Sequence, residues 1–163
     1  MTQSRAAGEK MTPRVTVRRA SEEDLPRIVE LLSQLSLDDD RDAPAKPLPQ
    51  SYRAAFRQIR ADPRQQLLVA EAEGRIVATL VLITVPNLSY RGRPWACVES
   101  VVVDDSARGK GYGEALMRYA IEEARRAGCY KLSLTSNKRR SEAHRFYEKL
   151  GFSASHKGFR LSL

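Results

Sequence analysis

The sequence predicts an α/β (α+β) domain with a central, mostly antiparallel sheet of six to seven strands and helices on both faces. Three observations predict it. Runs rich in β-branched residues alternate with stretches whose apolar residues recur at the helical period. Three of those runs, Leu67 to Ala72, Ile76 to Val85 and Trp95 to Val103, are separated only by Glu73-Gly74 and by Pro86 to Pro94, the pattern of an antiparallel meander. The full order reads βααβββαβαββ, and a layered sheet can bury helices that precede and follow such a meander.

The elements follow in order. Residues 1–13 are polar and aperiodic and are expected to be a disordered tail, which leaves 14–163 as one domain. Val15, Val17 and Arg18 alternate as a first strand. Ser21 with Asp24 then opens a helix in which Leu25, Ile28, Val29, Leu32 and Leu35 share a face. Leu37 to Gln50 holds four Asp and three Pro, too many breakers for regular structure, and reads as a long loop of the kind that covers a substrate. Ser51 to Arg60 places Tyr52, Ala55, Phe56 and Ile59 on one helix face before the meander begins. After Asp104 the period changes: from Gly113 to Ala127, Leu116, Met117, Ala120, Ile121 and Ala124 form a helical stripe that Gly128 stops. Lys131 to Thr135 reads as a short strand. Ala143, Phe146, Tyr147 and Leu150 give a helix closed by Gly151, and Phe152 to Ser155 and Phe159 to Leu163 read as final strands.

Composition excludes several classes. With 42% hydrophobic and 29% charged residues the chain is too apolar for disorder and too polar for a membrane protein. The longest apolar stretch, Ile76 to Val85, is half of the ~20 residues that a spanning helix needs. The N-terminus has no apolar signal core, and Cys97 and Cys129 have neither metal-ligand nor disulfide spacing, so a cytoplasmic location with two buried core thiols is expected. Charge is unevenly placed. Residues 1–105 carry 15 basic and 15 acidic side chains, whereas 106–163 carry 13 and 5, which points to an anionic partner for the last third.

That third contains Arg108-Gly109-Lys110-Gly111-Tyr112-Gly113, set between a strand and a helix. Glycines let backbone N–H groups converge on an anion, and the helix N-terminus adds its positive dipole end. Two common phosphate motifs fail. No glycine stands five positions before Gly109, as a P-loop requires, and Glu114 occupies the place of the last glycine of a dinucleotide fingerprint.

What remains, R-x-x-G-x-G after a V-x-V strand end, resembles the pyrophosphate signature of the GNAT superfamily of acetyl-CoA-dependent N-acetyltransferases. A second block, Asn137 followed by A-x-x-F-Y-x-x-x-G-F from Ala143 to Phe152, is similar to that family's other hallmark. The Ala143-His-Arg-Phe-Tyr stretch also resembles aminoalkylphosphonate acetyltransferases. The resemblance implies a sheet splayed between strands 4 and 5, with acetyl-CoA as cosubstrate and no metal.

It also implies residue roles. Val101, Val102 and Val103 would offer backbone to the pantetheine arm as a pseudo-strand. Arg108, Gly109, Lys110, Gly111, Tyr112, Gly113 and Glu114 would cradle the pyrophosphate. Asn137 either contacts the cofactor or organises a turn, and His144 either lines the cleft or sits at its rim. Tyr147 stands where the family places the acid for the departing thiolate, unless it only fills the core. Glu99, the one acidic residue inside a predicted central strand, is either the base for an amine that is almost wholly protonated at neutral pH or a salt-bridged edge residue. Acetyl transfer to a primary amine in a ternary complex is the leading reading, and a non-catalytic acyl-CoA-binding domain is the alternative. The expected partners are acetyl-CoA and the amine, with no nucleic acid and no membrane, while a homodimer stays open.

Overall fold

A computed structural model describes residues 14–35, 45–161 and 163. Strand β1 (Val15–Arg19) leads through a turn, Glu22–Asp24, into α1 (Leu25–Ser33); α2 (Gln50–Ala61) precedes β2 (Gln65–Ala72) and β3 (Arg75–Val85). A four-residue turn, α3 (Ser89–Gly92), with Tyr90 and Arg91 in the left-handed conformation, joins β3 to β4 (Trp95–Val103). A 3-10 turn (Asp105–Ala107), α4 (Tyr112–Arg126), β5 (Leu132–Ser133) and α5 (Ser141–Lys149) complete the order. The tail over 1–13 and most of the predicted loop from Leu37 to Gln50 lie outside the described residues.

The strands lie in the order β1-β2-β3-β4-β5. The first four pair antiparallel, as the meander predicts, and β5 joins β4 in parallel. Period-two alternation divides the side chains between two faces. Leu68, Ala70, Leu80, Leu82, Ala96 and Val98 meet Leu116, Met117, Ala120 and Ala124 of α4. Val69, Ile76 and Val102 meet Ile28 and Leu31 of α1 on the opposite face, where α2 also packs against β2. Both helix stripes are therefore buried, each against its own side of the sheet.

Three sequence expectations require correction. The sheet has five strands among the described residues, not six to seven. Phe152 to Ser155 and Phe159 to Leu163 have strand-forming composition, yet a strand needs a ladder partner, and the described residues of both segments have none. Phe159 and Leu161 are accordingly exposed. The predicted strand Lys131 to Thr135 contracts to Leu132–Ser133, because only Ala96 and Cys97 stand opposite it. Finally, Cys97 and Cys129 are half-buried, not core thiols, although burial still pushes both thiols up from the ordinary value.

Candidate active site

The site begins where β4 loses its neighbour. On one side β4 pairs with β3 along its length, but on the other it meets β5 only at Ala96 and Cys97. Past Cys97 the two strands separate, and the backbone of Val98 to Val103 faces an open edge. The β3 ladder is also irregular there: Val81 pairs with Glu99 and Thr79 with Val102, so Ser100 and Val101 together oppose Leu80. Such a bulge inserts one residue and reverses the alternation. Ala96 and Val98 face α4 before it, and Val101 and Val103 face α4 after it. Ser100 absorbs the insertion in a left-handed conformation, φ 54°, at a cost of about 1 kcal/mol for a residue with a side chain.

The glycine-rich turn follows directly. Asp104 ends β4, is buried, and accepts from Ser106 N at 2.9 Å, which starts the 3-10 turn. Its carboxylate also pairs with Arg27 of α1 and, at 3.7 Å, with Arg75. The Ser106 bonds and the Arg27 guanidinium hold the Asp104 carboxyl below the usual carboxylate range against its burial. Gln34, at the end of α1, accepts from Asp105 N at 3.0 Å, so α1 braces this turn twice.

Gly111 then enters α4 with φ 84°, a conformation that a side chain disfavours. The first helical N–H to find an intrahelical acceptor is that of Ala115, which donates to Gly111 O at 3.0 Å. The N–H groups of Tyr112, Gly113 and Glu114 lie ahead of it at the dipole's positive end. A Cβ on Gly109 or Gly111 would meet nothing within 4 Å, so that side of the turn is open to a ligand. Gly113 is different, since a Cβ there would lie 2.9 Å from Val103 Cγ2 and 3.5 Å from the Phe146 ring. It permits α4 to start hard against β4. The Tyr112 side chain is buried in the core, which leaves its backbone as the part that can face an anion.

Helix α5 flanks the open edge. It ends in a Schellman motif: Gly151, at φ 92°, donates to Glu148 O at 2.9 Å, and Phe152 N donates to Tyr147 O at 3.1 Å. The same motif brings Phe152 against Tyr147, ring centroids 5.9 Å apart, and explains the F-Y-x-x-x-G-F spacing. The Tyr147 hydroxyl has no hydrogen-bond partner among the described residues. Burial pushes the phenol up from its ordinary value; Arg140 opposes this and the Glu99 carboxylate adds to it. Glu99 itself is exposed and has no ion pair among the described residues.

Asn137 organises a turn. Its side chain accepts from Arg139 N at 2.9 Å, and its carbonyl accepts from Arg140 N at 2.9 Å and contacts His144 Nε2 at 3.0 Å. His144 thereby fastens the first turn of α5 to the β5–α5 loop. Arg140 also donates to Leu35 O, tying that loop to the end of α1. Several C-terminal cations are paired locally, Arg118 with Glu114, Arg125 with Glu122, Arg126 with Glu123 and Arg108 with Asp105, yet most of the basic excess stays without a compensating carboxylate in that segment. Among the described residues no group of His, Cys, Asp and Glu is arranged to hold a metal.

Of the predicted residues, Val101 to Glu114 run continuously from the open strand edge into the glycine-rich turn, and the Glu99 charge acts weakly on Tyr147. Asn137 and His144 bond to each other at the far end of the loop. Sequence reasoning missed Ser100 and the Arg27–Asp104 pair. The D-x-S pattern of Asp104 and Ser106 is a legible capping signal. The Ser100 bulge follows from ladder register alone and leaves no local trace.

Comparison with known proteins agrees with this geometry. Residues 30–152 match the model of the acetyltransferase (GNAT) family. The chain is 35% identical to a glucosamine 6-phosphate N-acetyltransferase of Trypanosoma brucei brucei over 147 residues, 90% of this chain and 95% of the relative. It is 30% identical to the aminoalkylphosphonate N-acetyltransferase of Salmonella typhimurium over 156 residues, 95% of this chain and 96% of the relative. A solved structure from Bacillus halodurans C-125, described as a transcriptional regulator, superposes with a TM-score of 0.88 at 41% identity, covering 92% of this chain and all of that one. An open β4 edge, a bulge, a glycine cradle and a tyrosine on the flanking helix thus accompany direct sequence kinship, and the chain belongs to the GNAT family of N-acetyltransferases.

Proposed function

We propose that the protein transfers an acetyl group from acetyl-CoA to a primary amine that also carries a phosphate or phosphonate group. The observation that carries the proposal is the continuity of the β4 open edge with the cradle at Arg108 to Glu114: an extended arm can add to the edge while its pyrophosphate receives the N–H groups of α4. Acetyl-CoA supplies the activated acyl carbon as a thioester. Glu99 is suited to take the proton released as the amine nitrogen bonds to that carbon, directly or through water. Tyr147, held protonated by burial, is suited to give its proton to the sulfur as the carbon–sulfur bond breaks. The products are an amide and a free thiol, with no covalent enzyme intermediate. Both named relatives act on an amine bearing a phosphorus oxyanion. Lys138, Arg139 and Arg140 lie in the loop that leads into α5, and the Arg140 charge reaches the Tyr147 phenol.

The test is an acetyl-transfer screen over glucosamine 6-phosphate, aminoalkylphosphonates, amino acids, aminoglycosides, lysine peptides and polyamines, followed by Tyr147→Phe in single turnover. The phosphorylated or phosphonylated amines should lead the screen. The Phe variant should keep acetyl-CoA affinity while the chemical step slows by roughly 10²- to 10⁴-fold. A preference for polyamines would refute the acceptor class, and a Phe variant of unchanged rate would return Tyr147 to the core.

A further inference from the structure

Glu99, Cys97 and Trp95 of β4 pair in unbroken register with Val81, Ile83 and Val85 of β3, so all six share the face of the sheet opposite α4. Burial, and then the Glu99 carboxylate, push the Cys97 thiol up, as befits neighbours on one face. The described parts of α1 and α2 reach this face at Val81 and Ser100. Beyond them Ile83, Val85, Trp95 and Cys97 are only half-buried, whereas Leu82, Ala96 and Val98 on the α4 side are fully buried. Among the described residues, a partly open strip therefore runs from Glu99 to Trp95. A cation stands at its far end. Lys131 holds Nζ 5.3 Å from the Trp95 ring centroid and 5.6 Å from that of Tyr130. Tyr130 is itself stacked on Tyr90, centroids 3.9 Å apart, and Tyr90 and Arg91 keep left-handed backbones, which persist only where the surroundings fix them. Rings orient an ammonium without neutralising it. Lys131 has no ion pair among the described residues, and neither 86–98 nor 127–141 contains an Asp or Glu.

We propose that Lys131 receives the phosphorus oxyanion of the acceptor while the amine lies at Glu99, and that the strip between them sets the separation of the two groups. The proposal rests on the reading of Glu99 as the base and of the acceptor as a phosphorylated amine. Other nearby cations are engaged elsewhere: Arg140 donates to Leu35 O, and Arg93 turns to Gly128 O at 3.4 Å. Glu99 and Trp95 are four residues apart in β4, about 13 Å at roughly 3.3 Å per residue. A hydrogen bond of about 2.8 Å at each end leaves about 7–8 Å between the amine nitrogen and the nearest phosphate oxygen. An extended chain advances about 1.2 Å per bond, so the span takes about six bonds, or about three to four carbons between amine and phosphate ester. A sugar ring with the two groups on opposite sides spans a similar distance. An amine and a phosphorus on the same carbon reach only about half of it.

The test measures kcat/KM with acetyl-CoA for glucosamine 6-phosphate, aminomethylphosphonate and ω-aminoalkyl phosphates of increasing length, each against the matching amine without phosphorus. The preference for the phosphorylated form should peak at about three to four carbons and should be high for glucosamine 6-phosphate. Lys131→Met, which keeps the stem over the rings, should lower that preference about tenfold, the smaller end for a charged hydrogen bond because the strip is open to water. The loss should appear in KM rather than kcat and should flatten the length series. Lys131→Arg should restore most of it, and Lys131→Gln serves if the Met variant does not fold. A preference strongest for aminomethylphosphonate, or one that survives Lys131→Met, overturns the assignment of Lys131 alone. A loss from Lys138→Met with none from Lys131→Met moves the oxyanion to the loop before α5 and overturns it as well. Acetylation of amines with no preference for phosphorylated forms at any length overturns the acceptor class beneath it.

Discussion

Gly113→Ala places one methyl group at the tightest point between the cradle and the sheet. Two opposing effects act. Alanine in a helix is favoured over glycine by about 1 kcal/mol through backbone entropy. Against this, the new Cβ would lie 2.9 Å from Val103 Cγ2 and 3.5 Å from the Phe146 ring, and overpacking of this kind costs about 1–3 kcal/mol. Val103 decides the sign. It is β-branched, stiff at χ1, and fixed in a ladder opposite Ala78, so it cannot swing aside as a flexible side chain would. Relief must come from moving the start of α4 away from β4. The expected outcome is a net loss of up to about 2 kcal/mol, a melting temperature lower by up to roughly 8 °C for a domain of this size, and weaker acetyl-CoA binding because the cradle moves off the β4 edge. Differential scanning calorimetry with and without acetyl-CoA measures both quantities. A Gly113→Ala protein that melts higher than wild type with undiminished acetyl-CoA stabilisation would refute the reasoning, since helix propensity would then outweigh a contact too loose to matter.

Further outcomes follow from the same geometry. Gly111→Asp should weaken acetyl-CoA binding about tenfold and Gly111→Asn much less, because only the first adds negative charge at the helix N-terminus; isothermal titration separates them. Glu99→Gln should reduce turnover most near neutral pH, and the wild-type-to-mutant ratio should shrink above about pH 9, where solvent deprotonates more of an amine of pKa ~10. A loss independent of pH would deny Glu99 the role of base. Arg27→Met should cost about 3 kcal/mol in urea denaturation, because Asp104 keeps its buried charge and loses its main cation. Since the native Asp104 carboxyl titrates below its unfolded value, its contribution is present above about pH 4 and is lost as pH falls below that, and the variant should show a shallower acid-side decline.

How much of this was legible in the sequence varies with the range of the interaction that fixes each feature. Helix α4 is visible as a stripe of apolar residues with Gly128 at its end, since period and stop are local properties. The F-Y-x-x-x-G-F stretch likewise encodes its Schellman closure within six residues. The glycine cradle is legible because positive φ at Gly109 and Gly111 is a backbone requirement written into residue type. Strand composition near the C-terminus misled for the opposite reason: alternation at Phe159 and Leu161 states that a strand is affordable, while a ladder requires a partner that composition cannot supply.

By itself, then, the sequence determined the order of the main elements as far as α5, the helices on both faces of the sheet, the glycine-rich turn and the kinship of the chain, all of which depend on residue type at short spacing. Tertiary structure alone decided the rest. The separation of β4 from β5 after Cys97, the insertion at Ser100, the influence of the Glu99 charge on Tyr147 and the bracing of the glycine-rich turn by Arg27 each join residues far apart in the chain. Their geometry depends on register and packing, in which a slip of one residue exchanges the faces of a strand, and no local pattern of side chains carries that information.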